Sequence, residues 1–271
     1  EDKIYNIMSK RKTTFFHPLK NSPYEYNVYN IVQTIDNLIN DYKNSYKPII
    51  DKSIKEIDKM VKVVPGDYAK FQMGISSVDA AQAWATFENE NRKSIIKVKQ
   101  FELKNQLYAQ YFHQMASTIE AATIKIYSSR HPNFKYFKRD KLYDNINRYG
   151  QSNRELDHYK FHDKLYCIWN FIKHNNQSTY DELNKSYPES LIKKKYEPGD
   201  LAIRYVKLNE NLILELLDGT KKYFIEWCKY NLDEDYEQSL WNFSKYFLTI
   251  VNNKIEEIDN PLGLGLFDEI D

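Results

Sequence analysis

Residues 77–128 form the longest helical stretch in the sequence, and the rest of the chain has to be arranged around it. Its first half is rich in alanine (Ala80, Ala81, Ala83, Ala85), which lets helices pack closely. Its second half carries Ile95, Val98, Phe101 or Glu102, Leu107, Tyr111, Met115, Ile119 and Ile126 at helical spacing, the signature of one apolar face. At 1.5 Å per residue an unbroken helix here would be roughly 75 Å long, more than one compact domain accommodates. A break is therefore expected near Asn89 to Asn91.

Helical spacing recurs on both sides. From Tyr24 the positions Val28, Ile31, Val32, Ile35, Leu38, Ile39 and Tyr42 follow three- and four-residue steps. Pro48 interrupts them, because proline lacks the helical donor and disfavours helix in the residue before it. A second helix follows through Ile50, Ile54, Ile57 and Val61 to Pro65-Gly66, joined to the first by a kink or a tight antiparallel turn. Residues 129–151 read as a polar, basic connector with a short helix. Ser152 and Glu155 fit a reciprocal capping box, opening a helix through Leu156, Tyr159, Leu165, Ile168, Trp169 and Ile172 to about Lys173. Asn175, Asn176 and Gln177 end it. Thr179 and Glu182 form a second box, and the helix they open must stop before Pro188. After a Glu197-Pro198-Gly199-Asp200 turn, residues 201–208 alternate well enough for a strand, with Asn211 to Leu217 as its partner in a small hairpin. Helical spacing returns over 219–251. The chain thus reads as mainly α, with an irregular segment at 1–23, a single helical domain over 24–251 and a loose acidic tail at 252–271.

Composition narrows the function classes. Lys and Arg total 39 against 38 Asp and Glu, so no global field recruits nucleic acid or anionic lipid, and any basic surface is local. Apolar runs fall far short of the ~20 residues a bilayer demands. No signal-peptide pattern stands at the start, and the two cysteines, Cys167 and Cys228, have neither metal nor redox spacing. A reducing cytoplasm is the expected compartment. With seven glycines, a backbone cradle for phosphate is hard to build, and no phosphate loop, zinc-type cysteine pairing, nucleophile elbow or His-Glu-x-x-His motif occurs. No cofactor is expected.

The titratable groups gather between 152 and 174. Arg154, His158 and His162 sit at successive i+4 steps, so on one helix they share a face. Histidine moves protons near neutral pH, and a neighbouring cation holds it neutral and basic. An acid/base site is one reading; a solvated face paired to Asp157 or Asp163 is the other. His158 and His162 also have metal-ligand spacing, with Asp163 or His131 as a third ligand. The string Ile168-Trp169-Asn170-Phe171-Ile172-Lys173-His174-Asn175-Asn176 ends a helix on polar groups, which complement the free carbonyls and the helix dipole. The aromatic-basic string from Phe134 to Arg139 suits either base stacking or docking onto a core with the cations in water. The four tryptophans, Trp84, Trp169, Trp227 and Trp241, fall on expected helices, as core or dimer interface.

The segment LYCIWNFIKHNNQSTYDEL (165–183) resembles the signature helix-to-loop region of the HEPN superfamily, all-helical proteins of prokaryotic defence and toxin–antitoxin systems. The resemblance covers residues 80–235 and implies a helical bundle and a homodimer. In the family's ribonucleases an arginine, usually followed by asparagine, precedes a histidine by four to six residues, and paired motifs cleave RNA without metal. On this chain the asparagine falls on Asn170 and the histidine on His174. Trp169 stands at the arginine position. The resemblance implies His174 as acid/base and Asn170 as its orienting partner, with positive charge from Lys173 or Arg154; His158 belongs to the same candidate set. A formal match from Arg11 to His17 is one that chance readily supplies.

Two classes of function compete. One is an RNA-directed protein of defence or toxin–antitoxin type, either a metal-independent endoribonuclease or a catalytically silent relative, with RNA and an antitoxin as partners. The other is a non-enzymatic helical interaction or sensor module. A ribonuclease needs cation and histidine clustered on an open groove. An interaction module predicts scattered or buried histidines and an exposed apolar patch. A metal-dependent hydrolase comes third.

Overall fold

The computed structural model describes residues 27–59, 65, 77–130, 147, 149–192 and 195–259. Among them the chain is helical, with no strand or sheet, so the mainly α architecture with long helices holds. The helices are α1 (Asn27–Asp41), α2 (Lys47–Asp58), α3 (Val78–Arg130), α4 (Tyr159–His174), α5 (Gln177–Ser186), α6 (Glu210–Leu232) and α7 (Tyr236–Asp259). Contacts gather the described residues into two compact units, one within 27–35, 121–160 and 219–259, the other within 36–120 and 161–218. The connector over 131–146, with its string Phe134 to Arg139, and the Arg11 to His17 match lie outside the described residues.

The first unit buries Val28, Ile31, Val32 and Ile35 of α1, Ile126 of α3, Leu156, and Tyr223, Phe224, Trp227 and Cys228 of α6. The Glu234 carboxylate caps the start of α1, accepting from the Val28 amide at 2.8 Å and from Asn27 Nδ2 at 2.9 Å. A charge there satisfies free N–H groups and complements the helix dipole. Asn153 and Asn231 exchange reciprocal amide bonds at 2.8 and 3.3 Å, both buried.

Two boundaries in this unit differ from the sequence reading. Ser152 Oγ does accept from the Arg154 amide at 3.3 Å, but it opens only a 3-10 turn, Asn153–Glu155. Leu156 then takes an extended conformation that drops its side chain into the core, and α4 begins at Tyr159. The helical spacing over 219–251 is divided between two helices, α6 and α7. Asp233 adopts a left-handed φ of 63° after α6, and the Asp235 carboxylate accepts from the Gln238 amide to start α7. That last helix continues to Asp259, inside the expected tail.

In the second unit Pro48 neither kinks the chain into a turn nor reverses it. The chain passes from α1 through a π-helical segment, Tyr42–Tyr46, straight into α2, where Pro48 occupies the first turn. A first-turn proline has no helical donor to lose, and the wider π turn relieves the clash with the preceding carbonyls. Tyr42 is buried there beside Tyr108 and Tyr111, and Tyr111 donates to the Leu38 carbonyl at 2.6 Å. Burial pushes both the Tyr42 and Tyr111 phenols well above the usual tyrosine range, with Tyr108 adding to the first and Asp41 to the second.

The break near Asn89 to Asn91 does not exist. Helix α3 runs 53 residues without interruption. The stretch holds no proline or glycine to force an end, and the pairs Arg92–Glu88 and Lys93–Glu90 span it. The hairpin near 201–217 is also absent. Ala202–Arg204 form a 3-10 turn, and Leu212, Ile213, Leu216 and Leu217 bury one face of α6. The alternating stretch finds its partner earlier in the chain, in an isolated antiparallel bridge between Val206 and Leu191. The Lys207 amide donates to the Ser190 carbonyl at 2.9 Å and the Ile192 amide to the Tyr205 carbonyl at 2.6 Å.

Candidate functional site

The end of α4 is the most constructed polar feature among the described residues. Its inner face is Leu165, Tyr166, Ile168, Trp169 and Phe171, all buried. The Trp169 indole donates its N–H to His113 Nδ1 on α3 at 3.0 Å, which fixes the His113 proton on Nε2. Tyr166 packs edge-on between Trp169 and the buried His162, at centroid distances of 5.7 and 4.9 Å.

Past His174 the chain reverses on Asn175, at a left-handed φ of 45°, whose amide closes the helix on the Phe171 carbonyl at 2.9 Å. This turn is clamped. Tyr196 donates its hydroxyl to the Asn175 carbonyl at 2.7 Å, and Asn175 Nδ2 donates to the Asp200 carbonyl at 3.0 Å. Tyr205 donates to the Asp200 carboxylate at 3.1 Å and accepts from the Glu197 amide at 3.0 Å. Phe171, Tyr180, Tyr196 and Tyr205 pack ring against ring at 5.5–6.1 Å. Asn176, rather than the expected Thr179, caps α5: its side chain accepts from the Thr179 amide at 3.0 Å. The short helix ends before Pro188, as its sequence requires.

This frame presents the last turn of α4 to solvent. His174 and Lys173 are exposed and Asn170 half-buried, so the structure brings three of the candidate residues onto one helix end. Asn170 and His174 share a face by their four-residue spacing. The Lys173 ammonium lies 4.8 Å from the Trp169 ring centre, a cation–π contact.

Arg154 and His158 belong to the other unit. Arg154 stands on the 3-10 turn and donates to the Tyr159 hydroxyl at 2.9 Å. His158 Nδ1 pairs with the Glu226 carboxylate, which also accepts from the His158 amide at 3.3 Å. Because α4 begins only at Tyr159, Arg154, His158 and His162 are not on one helix face, and the partner of His158 is neither Asp157 nor Asp163. Asp163 instead accepts from Tyr187 at 2.9 Å. Among the described residues no group of three His, Cys, Asp or Glu side chains is placed to hold a metal ion, and His131 lies outside them. Both cysteines are buried and neither is in a disulfide. Burial pushes the Cys228 thiol up, with the nearby Glu234 charge adding to it. No helix among the described residues is long and apolar enough to cross a membrane.

His113, Tyr196, Tyr205 and Asp200 are the residues sequence reading missed. His113 meets Trp169 across 56 positions, with no local signal. The tyrosines are individually anonymous in a chain holding 23 of them. No protein-family model, curated protein or solved structure matches the chain.

Proposed function

We propose that this chain is a HEPN-like helical module of prokaryotic defence or toxin–antitoxin type that works by binding a partner rather than by cutting RNA. One observation carries the reading: the position where the ribonuclease motif has its arginine is filled by Trp169, which is 3% exposed and commits its N–H to His113. An indole in the core cannot stabilise the negative charge that builds on a phosphorane. The histidines support it. His162 is buried and His158 is paired with Glu226, so each is engaged in the packing of its own unit.

The second reading, a metal-independent endoribonuclease, draws on the last turn of α4, where His174 and Lys173 are both open to solvent. There His174 takes the proton from the ribose 2′-hydroxyl and Lys173 meets the phosphate. Incubation of purified protein with total RNA and tRNA in EDTA separates the two. The binding reading expects intact RNA. Cleavage that disappears in His174→Ala and weakens in Lys173→Ala overturns it in favour of the ribonuclease.

A further inference from the structure

The front of α3 carries an apolar seam facing water. Ala81 and Ala85 are buried, and Gln100 reaches the Ile54 carbonyl at 3.4 Å, which defines the inner side. At 3.6 residues per turn the opposite side is Ala80, Ala83, Phe87, Asn91, Ser94, Val98 and Phe101. Phe87 is 70% exposed, Val98 57% and Phe101 49%, with Ile95 beside them at 47%. Single exposed apolar residues are ordinary, whereas several in register along one helix face mark a surface that another helix covers.

Charge selects the occupant. Residues 78–91 hold three carboxylates (Asp79, Glu88, Glu90) and neither lysine nor arginine. Residues 92–104 hold five cations (Arg92, Lys93, Lys97, Lys99, Lys104) and one carboxylate, Glu102, whose partner is Arg204 at 2.6 Å. A helix acidic in one half and basic in the next is complementary to itself reversed. A parallel copy sets like charge on like.

The side-chain sizes agree with that direction. Centring the pair between Glu90 and Asn91 sets Phe87 against Ser94 of the second copy, Phe101 against Ala80 and Val98 against Ala83. Each large side chain meets a small one, the alternation that lets two helices interdigitate. Polar Asn91 falls at the middle, where a single polar position fixes register. We infer that the front of α3 is an antiparallel self-association surface, its occupant being the same segment of a second copy of this chain. The inference names one partner for the binding role proposed above and uses no residue of the α4 end. RNA cleavage would overturn the former reading and leave this one standing, and a monomeric protein would do the reverse.

The test is light scattering on the full chain at micromolar concentration, beside Phe87→Asp and Val98→Asp. A dimer that becomes monomer in either variant, with the helical circular dichroism retained, is the expected result. Direction is read from oxidative cross-linking of single variants Phe87→Cys and Ser94→Cys; the native thiols are buried and contribute little background. Antiparallel pairing cross-links a mixture of the two variants and neither one alone. A monomeric wild type, a dimer untouched by both aspartates, or cross-links formed within each single variant would each overturn the proposal. If an aspartate variant misfolds, the cross-linking pattern still decides.

Discussion

Helix α3 contains two regions whose apolar side chains meet opposite fates. Over 108–119 it buries Tyr108, Tyr111, Phe112, Met115 and Ile119. Over 87–101 it leaves Phe87, Ile95, Val98 and Phe101 in water. The rear is met by tyrosines: Tyr42 and Tyr46 pack on the Tyr111 ring at 5.1 and 4.7 Å, and its hydroxyl is tied to Leu38. The front is tied to α2 by Gln100, which donates to the Ile54 carbonyl at 3.4 Å. Helical periodicity says that a face wants cover; it does not say whether the cover lies in the same chain.

The comparison breaks most visibly at Phe112, which is fully buried in the rear. Phe112→Ala is expected to cost about 3–5 kcal/mol in denaturant unfolding, through lost burial and the cavity left behind. Asn91→Pro comes next, at about 3 kcal/mol, with helical signal lost and hydrogen exchange around Tyr111 unchanged. A negligible cost there would mean that the helix is already interrupted at Asn91. Tyr111→Phe keeps the ring and removes the bond to Leu38, for about 1 kcal/mol. Phe87→Ser, measured in dilute solution, is expected to move stability by no more than about 0.5 kcal/mol. A loss as large as that of Phe112→Ala would show that the front is core after all.

Much of the fold was legible where local rules act alone. The buried face of α1 follows the spacing of Val28, Ile31, Val32, Ile35 and Leu38, and Asn175 ends α4 where a left-handed residue was wanted. The errors arise where a local signal competes with something distant. Asn89 and Asn91 are polar, yet with no proline or glycine beside them the helix runs on through both. The alternation over 201–208 is real, but its partner is Leu191. Pro48 is absorbed by a π turn that no residue pattern announces. Of the candidate site, the helix end with Asn170, Lys173 and His174 was readable from its string. The bond from Trp169 to His113 was not, since nothing near either residue refers to the other.

The cap that Glu234 places on α1 has a consequence for how the chain is made. It joins residues 207 positions apart, and both units are assembled from segments scattered along the sequence. A ribosome that has completed the first two hundred residues has made α1, α3 and α4 but not the carboxylate that receives the Val28 amide, nor Trp227 and Cys228, which are buried in the same unit as Val28 and Ile31. The second unit has all its residues once Asp218 is made, whereas the first waits for the segment from Gly219 onward, so its contacts of long sequence separation must close late and slow the folding. A chain stopped short of Glu234 would hold long helices with their apolar faces open, a natural client for chaperones.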